Sequence, residues 1–293
     1  MASEGAVVAG RARVDARPFR LGPFLARALA HAVLIAGALL MVVPFLWMIS
    51  TSLKTEDQVF VLPPLWFPTN PVFGNYARLF TDIPFGRYLF NSGFVSLSVM
   101  VGELITSAIS AFAFARLTFW GRDKIFAMYL ATLMIPFHVR LIPIFLVMKF
   151  LGWLDTYYVL IVPQIFTVYG VFLFRQFFLN IPQELEDAAR IDGCGHLRVL
   201  FNIILPLSGP VIATLAVFSF LNTWNDFLWP LVMTTSKDMR VLSVGLAQLQ
   251  NEYFTLWTLL MSGAVLATLP TLIVFLLAQK YFVQGITISG MKG

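Results

Sequence analysis

Long apolar runs alternate with short polar passages along nearly the whole chain. Six of the runs reach the roughly 20 residues that a helix needs to cross the hydrocarbon of a bilayer. They lie near Phe24–Ser52, Tyr88–Leu117, Ile125–Phe150, Tyr157–Leu179, Leu207–Leu228 and Trp257–Phe282. Pro136, His138, Arg140 and Pro143 interrupt the third run. It is read as one kinked helix, because packed neighbours can satisfy the backbone groups that a proline frees. The connection over about 53–87 carries Pro63, Pro64, Pro68, Pro71 and Pro84. Prolines hold a chain in extended and turn shapes, so an ordered loop with one short helix is expected there. The pattern predicts an all-α polytopic membrane protein. Its parts are a tail over 1–23, six spans over 24–282, and a second tail over 283–293.

One passage breaks the pattern. Between Glu184 and Arg198 stand six charged residues: Glu184, Glu186, Asp187, Arg190, Asp192 and Arg198. Pro182 suits a first helical turn, and the acids that follow meet the positive end of the helix dipole. Glu186 and Arg190 are spaced i, i+4 in the favourable order. Gly193 and Gly195 then stop the helix. A second helix is expected from His196, with Leu197, Leu200, Phe201 and Ile204 as its apolar stripe and Pro206 at its end. The loop over about 180–206 therefore reads as two short helices. Leu185, Ala188, Ala189 and Asp192 share one face, where the small residues leave room for close approach. An amphipathic connector lying on lipid is the plainer reading, but such helices favour Lys and Arg on the polar face. Four acids against two arginines point instead to protein docking.

Composition sharpens this picture. Of the 293 residues, 59% are hydrophobic and only 12% charged, with 29 Phe and 7 Trp and a mean hydropathy of +0.82. A soluble domain carries about 25% charged residues, so the solvent here is lipid. The one cysteine, Cys194, excludes a disulfide framework and a cysteine metal site. The net charge of +5 is a matter of sidedness and does not point to nucleic acid. Thirteen Lys and Arg fall on the side of the N-terminal region, the 180–206 loop and the C-terminus, against six on the other. By the positive-inside rule both termini and the polar passage face the cytoplasm. The first apolar run is too long for a signal-peptide core and no small-residue cleavage motif follows it.

The polar passage resembles the EAA loop of ABC importer permeases. Asp187-Ala188-Ala189, Gly193 and the closing Leu205-Pro206 fill that signature, with Asp187 where glutamate is usual. Further stretches resemble the carbohydrate branch, close to the second permease subunit of maltose, trehalose and glycerol-phosphate importers. They are Ala111–Lys124, Asn180–Gly193, Phe220–Val232 and Leu269–Gly293. The resemblance implies the type I importer fold and a cytoplasmic membrane of a bacterium or archaeon. It implies four kinds of contact: a second, homologous permease, two ATP-binding subunits that hold ATP and Mg, an external solute-binding protein (lipoprotein or periplasmic), and membrane lipid. It also implies that Glu184, Glu186, Asp187, Ala188, Ala189, Asp192, Gly193 and Leu197 meet an ATP-binding subunit. Gly290, Lys292 and Gly293 of the tail would reach the interface between those subunits.

No phosphate-binding loop of the G-x-x-x-x-G-K-[ST] type occurs, nor H-E-x-x-H, nor G-x-S-x-G. His31, His138 and His196 are scattered, so neither a catalytic centre nor a metal site is expected, and energy must come from a partner. Polar residues inside a membrane face a cavity or a partner helix. Glu103, His138, Gln164, Asn222, Trp224 and Asn225 are the candidates for a solute pathway, with helix–helix glue as the alternative for each. Arg140 is a further intramembrane charge, one that leaves a phosphorylated solute open. The leading reading is the permease of an ATP-driven sugar importer. A carrier driven by an ion gradient would show inverted repeats and leave the acidic loop without a task. An ABC permease for a non-sugar solute is the nearer alternative, and an intramembrane enzyme lacks a motif.

Overall fold

The computed structural model of the chain describes residues 21–250 and 255–290, with the side chains over 26–250 and 255–279. Among the described residues every regular element is helical. In chain order these are α1 Leu21–Ser52, α2 Gly74–Thr81, α3 Phe85–Arg116, α4 Arg122–Ala131, α5 Phe137–Phe150, α6 Tyr157–Ile161 and α7 Val168–Leu179. There follow α8 Glu184–Ile191, α9 His196–Val199, α10 Leu205–Leu207, α11 Gly209–Asn225, α12 Leu228–Met233, α13 Leu242–Ala247 and α14 Trp257–Gly290. Four helical segments are long and apolar enough to cross a membrane, or six if each of two bent pairs counts as one span.

The chain to Trp47 forms one unit and the remainder a second. In the first, every described side chain from Ala26 to Leu46 is exposed, as befits an apolar helix whose solvent is lipid. Of the tail expected over 1–23, residues 1–20 lie outside the described residues and the last three belong to α1.

In the second unit α3 is the central post. It packs on α7 and α11, α11 packs on α14, and α14 on α2. The buried side of α3 combines small and polar residues, Asn91, Ser92, Ser96, Glu103, Ser107, Ala108 and Ala111, with larger apolar ones such as Val95, Val99 and Phe112. Between lipid-embedded helices there is no hydrophobic drive to associate, so close backbone approach and hydrogen bonds do the work. Gly170 of α7 shows the requirement, since a Cβ there would run into Ser107 Oγ and Leu215. Three apolar cores line the post. Phe112, Phe126, Phe174, Phe178, Leu200 and Leu215 belong to one. Phe85, Phe220, Trp224 and Leu259 belong to another, and Val95, Leu160, Trp229 and Met233 to the third.

The 53–84 connection holds the one short α-helix expected, α2, and is tied down by side chains. Asn75 Nδ2 donates to the carbonyls of Ser52 and Lys54 at 2.9 and 2.8 Å. Glu56 accepts from the amide and hydroxyl of Thr258 at the start of α14.

Three expectations need correction. The third run is not one kinked helix. The segments Arg122–Met134 and Phe137–Phe150 meet at 102°, with the break at Pro136, while Pro143 sits inside α5. The fourth run keeps its expected span, Tyr157–Leu179, within which a 3-10 turn over Val162–Gln164 separates α6 from α7. Pro206 does not end its helix. A π turn over Leu200–Ile204 precedes it, and this wider turn gives room to a ring that would press on the preceding carbonyls in a regular helix. The bend, of 84°, comes after Leu207. Finally, α14 runs beyond Phe282 to Gly290, through most of the segment expected to be a tail.

Candidate functional site

The polar passage folds as a hairpin of α8 and α9. Glu184, Glu186 and Asp187 occupy the first turn of α8. The helix ends in a Schellman motif: Cys194 N–H donates to Ala189 O at 2.9 Å and Gly193 N–H to Arg190 O at 3.0 Å. Gly193 takes φ +81°, the left-handed conformation that this motif demands. Gly195 then leads into α9, whose Val199 is buried and is followed by buried Leu200 and Ile204 in the first core.

The two faces of α8 differ sharply. Only Glu186 and Ala189 of its eight residues are buried. Glu186 Oε1 lies 2.5 Å from Arg116 Nε, with side chains only 2% and 8% exposed. The N–H does not point along this contact, so charge carries it. The same guanidinium donates to Phe178 O at 2.7 Å and Ile181 O at 2.6 Å, at the end of α7. Arg175 answers from α7, donating to Phe114 O of α3 at 3.2 Å and stacking over the Phe126 ring at 4.3 Å. Cations placed on the last carbonyls of a helix meet the negative end of its dipole. The outer face carries Glu184, Leu185, Asp187, Ala188, Ile191 and Asp192, all exposed, with Leu197 of α9 beside them.

The docking set thus divides. Glu184, Asp187, Ala188, Asp192, Gly193 and Leu197 are on the open side. Glu186 and Ala189 are turned into the chain's own core. For Glu186 the cause is Arg116, a partner seventy positions away that no local pattern reveals. Gly290 is the last helical residue of α14, and Lys292 and Gly293 lie outside the described residues.

A second feature is a cavity of about 320 Å³ at the breaks of the third and fourth runs. Arg140, Gln164, Thr167, Tyr169, Asp226 and Trp229 line it, with Phe137 and Phe166 among the apolar walls. Asp226 follows α11 and accepts from Trp229 N–H at 3.3 Å. Thr167 caps α7 by accepting from Gly170 N–H at 3.1 Å, and its hydroxyl donates to Glu103 of α3 at 2.5 Å.

Among the six pathway candidates only Gln164 lines this cavity. Glu103 is buried one layer behind, holding Thr167. His138 is exposed with its ring edge-on to Phe137. Trp224 is buried and donates to Ala267 O at 3.1 Å, so it joins α11 to α14. Asn225 donates to Leu221 O at 2.8 Å within its own helix and borders a separate cavity that also includes Trp224. Asn222 is exposed and lines neither of these cavities. Sequence reasoning missed Asp226, although the Asn225-Asp226 pair after a long apolar run could have marked a helix end. Among the described residues no group of His, Cys, Asp and Glu could hold a metal.

Residues 104–288 match the family described as "Binding-protein-dependent transport system inner membrane component". The chain is 37% identical over 259 residues to the arabinooligosaccharides transport system permease protein AraQ of Halalkalibacterium halodurans, covering 87% of this chain and 93% of that one. It is 35% identical over 271 residues to the sn-glycerol-3-phosphate transport system permease protein UgpE of Agrobacterium fabrum, covering 89% and 96%. Among solved structures, one chain of a bacterial ABC transporter involved in the import of the acidic polysaccharide alginate superposes with a TM-score of 0.81 at 26% identity. That match covers 91% of this chain and all of the other.

Proposed function

The chain belongs to the binding-protein-dependent transport system inner membrane components, the permeases of ABC importers, and from that premise we propose that it forms half of the translocation path of a carbohydrate importer. ATP is hydrolysed by separate subunits and not by this chain, and a carrier driven by an ion gradient does not fit this family. The assembly we propose holds a second permease, two ATP-binding subunits with their ATP and Mg, and an external solute-binding protein. It sits in the cytoplasmic membrane with α8, α9 and both termini on the cytoplasmic side.

The observation that carries the reading is the two-faced α8. Its inner face is anchored on α3 and α7 through Glu186 and Ala189. Its outer face leaves Leu185 44% and Ile191 87% exposed beside Ala188, and Leu197 of α9 is 63% exposed. Clustered apolar side chains rimmed by acids mark a protein contact, and here the occupant is an ATP-binding subunit. When ATP closes that pair of subunits, α8 moves with them and the path turns outward. The cavity at the helix breaks suits a hydroxylated solute: Arg140 donates, Asp226 accepts, and aromatic rings border the polar groups, while the Gln164 amide donates to Leu160 O at 3.0 Å and leaves its side-chain carbonyl as an acceptor. The arabinooligosaccharide relative and the alginate importer support carbohydrate cargo.

The docking test is Ala188→Arg, which puts a long cation on the open face. Substitution at Ala189 would instead disrupt the chain's own core. The variant should insert and pair with its partner permease, yet purify without ATP-binding subunits and show no uptake. Normal uptake would sink the docking assignment. The cargo class is tested separately by thermal shift of the purified binding protein against a sugar panel, and a protein that responds to none of them removes the carbohydrate reading.

A further inference from the structure

Force applied to the outer face of α8 has few ways into the membrane. The helix has eight residues and two buried side chains. One is the methyl group of Ala189, which packs in the core shared by α3, α7 and α11. The other is Glu186, whose carboxylate meets Arg116 at the last turn of α3. Arg116 is itself fixed to the end of α7 by its two hydrogen bonds to Phe178 O and Ile181 O. A single guanidinium therefore joins three helices.

From that junction α3 and α7 continue as a pair. Arg175 braces α7 to Phe114 O of α3 near the junction. Gly170 sits against Ser107 further along. Thr167, at the start of α7, is held by Glu103 of α3 and lines the cavity. Twelve helical residues cover about 18 Å, so the braced pair reaches from α8 to the cavity wall. Both members of the ion pair are almost fully buried, and a buried pair is costly to break from one side because the remaining charge is left uncompensated. Such a joint resists sliding in a way that a methyl contact does not.

We infer that the Arg116–Glu186 pair is the joint through which displacement of α8 reaches the α3–α7 pair and the cavity wall. This is a positioning role in transport, and it rests on α8 being the helix that the ATP-binding subunits move.

The test uses the whole complex in proteoliposomes and reads solute transported per ATP hydrolysed. Arg116→Met removes the charge and the three contacts while filling similar space. The expected result is an assembled complex that still hydrolyses ATP but transports about tenfold less solute per ATP, within the range that coupling free energies between sites span. The double variant Arg116→Met/Glu186→Met removes the stranded carboxylate, so it should recover thermal stability and remain uncoupled. Glu186→Gln, which keeps an acceptor for Arg116, should lie between parent and Arg116→Met. A purely structural pair would lower hydrolysis and transport together and leave their ratio at the parent value, and that result overturns the inference. Loss of the ATP-binding subunits from Arg116→Met would place the pair in docking and also overturn it. The substitution Ala188→Cys, in a Cys194→Ala background, keeps the two readings apart. Its crosslink to an ATP-binding subunit should form in the parent and in Arg116→Met alike. If the parent gives no crosslink, the docking reading fails and the joint with it.

Discussion

Glu103 offers the sharpest separation between a residue that touches solute and one that holds the wall. It is 6% exposed, lies midway along α3, and accepts the Thr167 hydroxyl. Thr167 faces the cavity and Glu103 does not. Glu103→Ala deletes that bond, and side-chain hydrogen bonds between membrane helices contribute about 0.6 kcal/mol on average and at most about 1.7. It also leaves a void of about 50 Å³, which at roughly 24 cal/mol per Å³ costs about 1.2 kcal/mol. The sum is about 2–3 kcal/mol. Glu103→Gln keeps the acceptor and nearly the same volume, so it should cost less than about 1 kcal/mol. Thr167 retains its bond from Gly170 N–H in both variants, so the start of α7 survives. Stability is read by equilibrium denaturation of the purified permease pair in mixed micelles, and solute affinity by the concentration dependence of uptake. The expected outcome is a clear loss of stability for Glu103→Ala, little for Glu103→Gln, and an apparent KM near the parent value for Glu103→Gln. A large rise in KM for Glu103→Gln at parent stability would show that the carboxyl meets solute directly, and the layered description of the wall would be wrong.

Two other outcomes are expected. Burial pushes the Asp155 carboxyl up, but the amides of Ser236 and Thr235 outweigh it and hold the group below the usual carboxylate range. The stability it lends the 234–241 segment is therefore complete above the unfolded pKa of about 3.9 and is lost as pH falls through the lower folded value; the protection of the Thr235 and Ser236 amides, taken relative to the intrinsic exchange rate at each pH, should fall there, and Asp155→Ala should bring the same loss of protection at neutral pH. Arg140→Gln should raise the apparent KM for solute by about tenfold, as loss of a charged hydrogen-bond donor implies, with the complex still assembled; an unchanged KM would take Arg140 out of the solute path.

The helical class, the run boundaries to within a few residues except at the end of α14, and the α8–α9 hairpin were legible from periodicity and glycine placement. The breaks were not. Pro136 and Pro143 give the same local signal, yet one ends a helix and the other sits inside α5. The choice depends on whether neighbouring helices shelter the freed backbone groups, which is a property of the packed bundle. The same holds for Glu186. Its spacing to Arg190 suggested a surface pair, but a buried guanidinium from α3 outcompeted a solvated one on its own helix. Trp224 and Asn225 looked like sugar ligands because amide and indole groups serve both solute and helix contacts, and only their partners Ala267 O and Leu221 O decide between the two.

The arginines at the helix ends bear on how sidedness can be measured. Arg116, Arg122 and Arg175 each donate to a main-chain carbonyl of α3, α7 or the turn that follows α3. All three also count toward the positive bias used to read topology. Swapping them for neutral residues to invert the protein would fray helices as well as shift the insertion bias, and the two effects would arrive in one phenotype. Charge reversal confined to Arg11, Arg13, Arg17 and Arg20, ahead of the described bundle, changes the bias without withdrawing those donors.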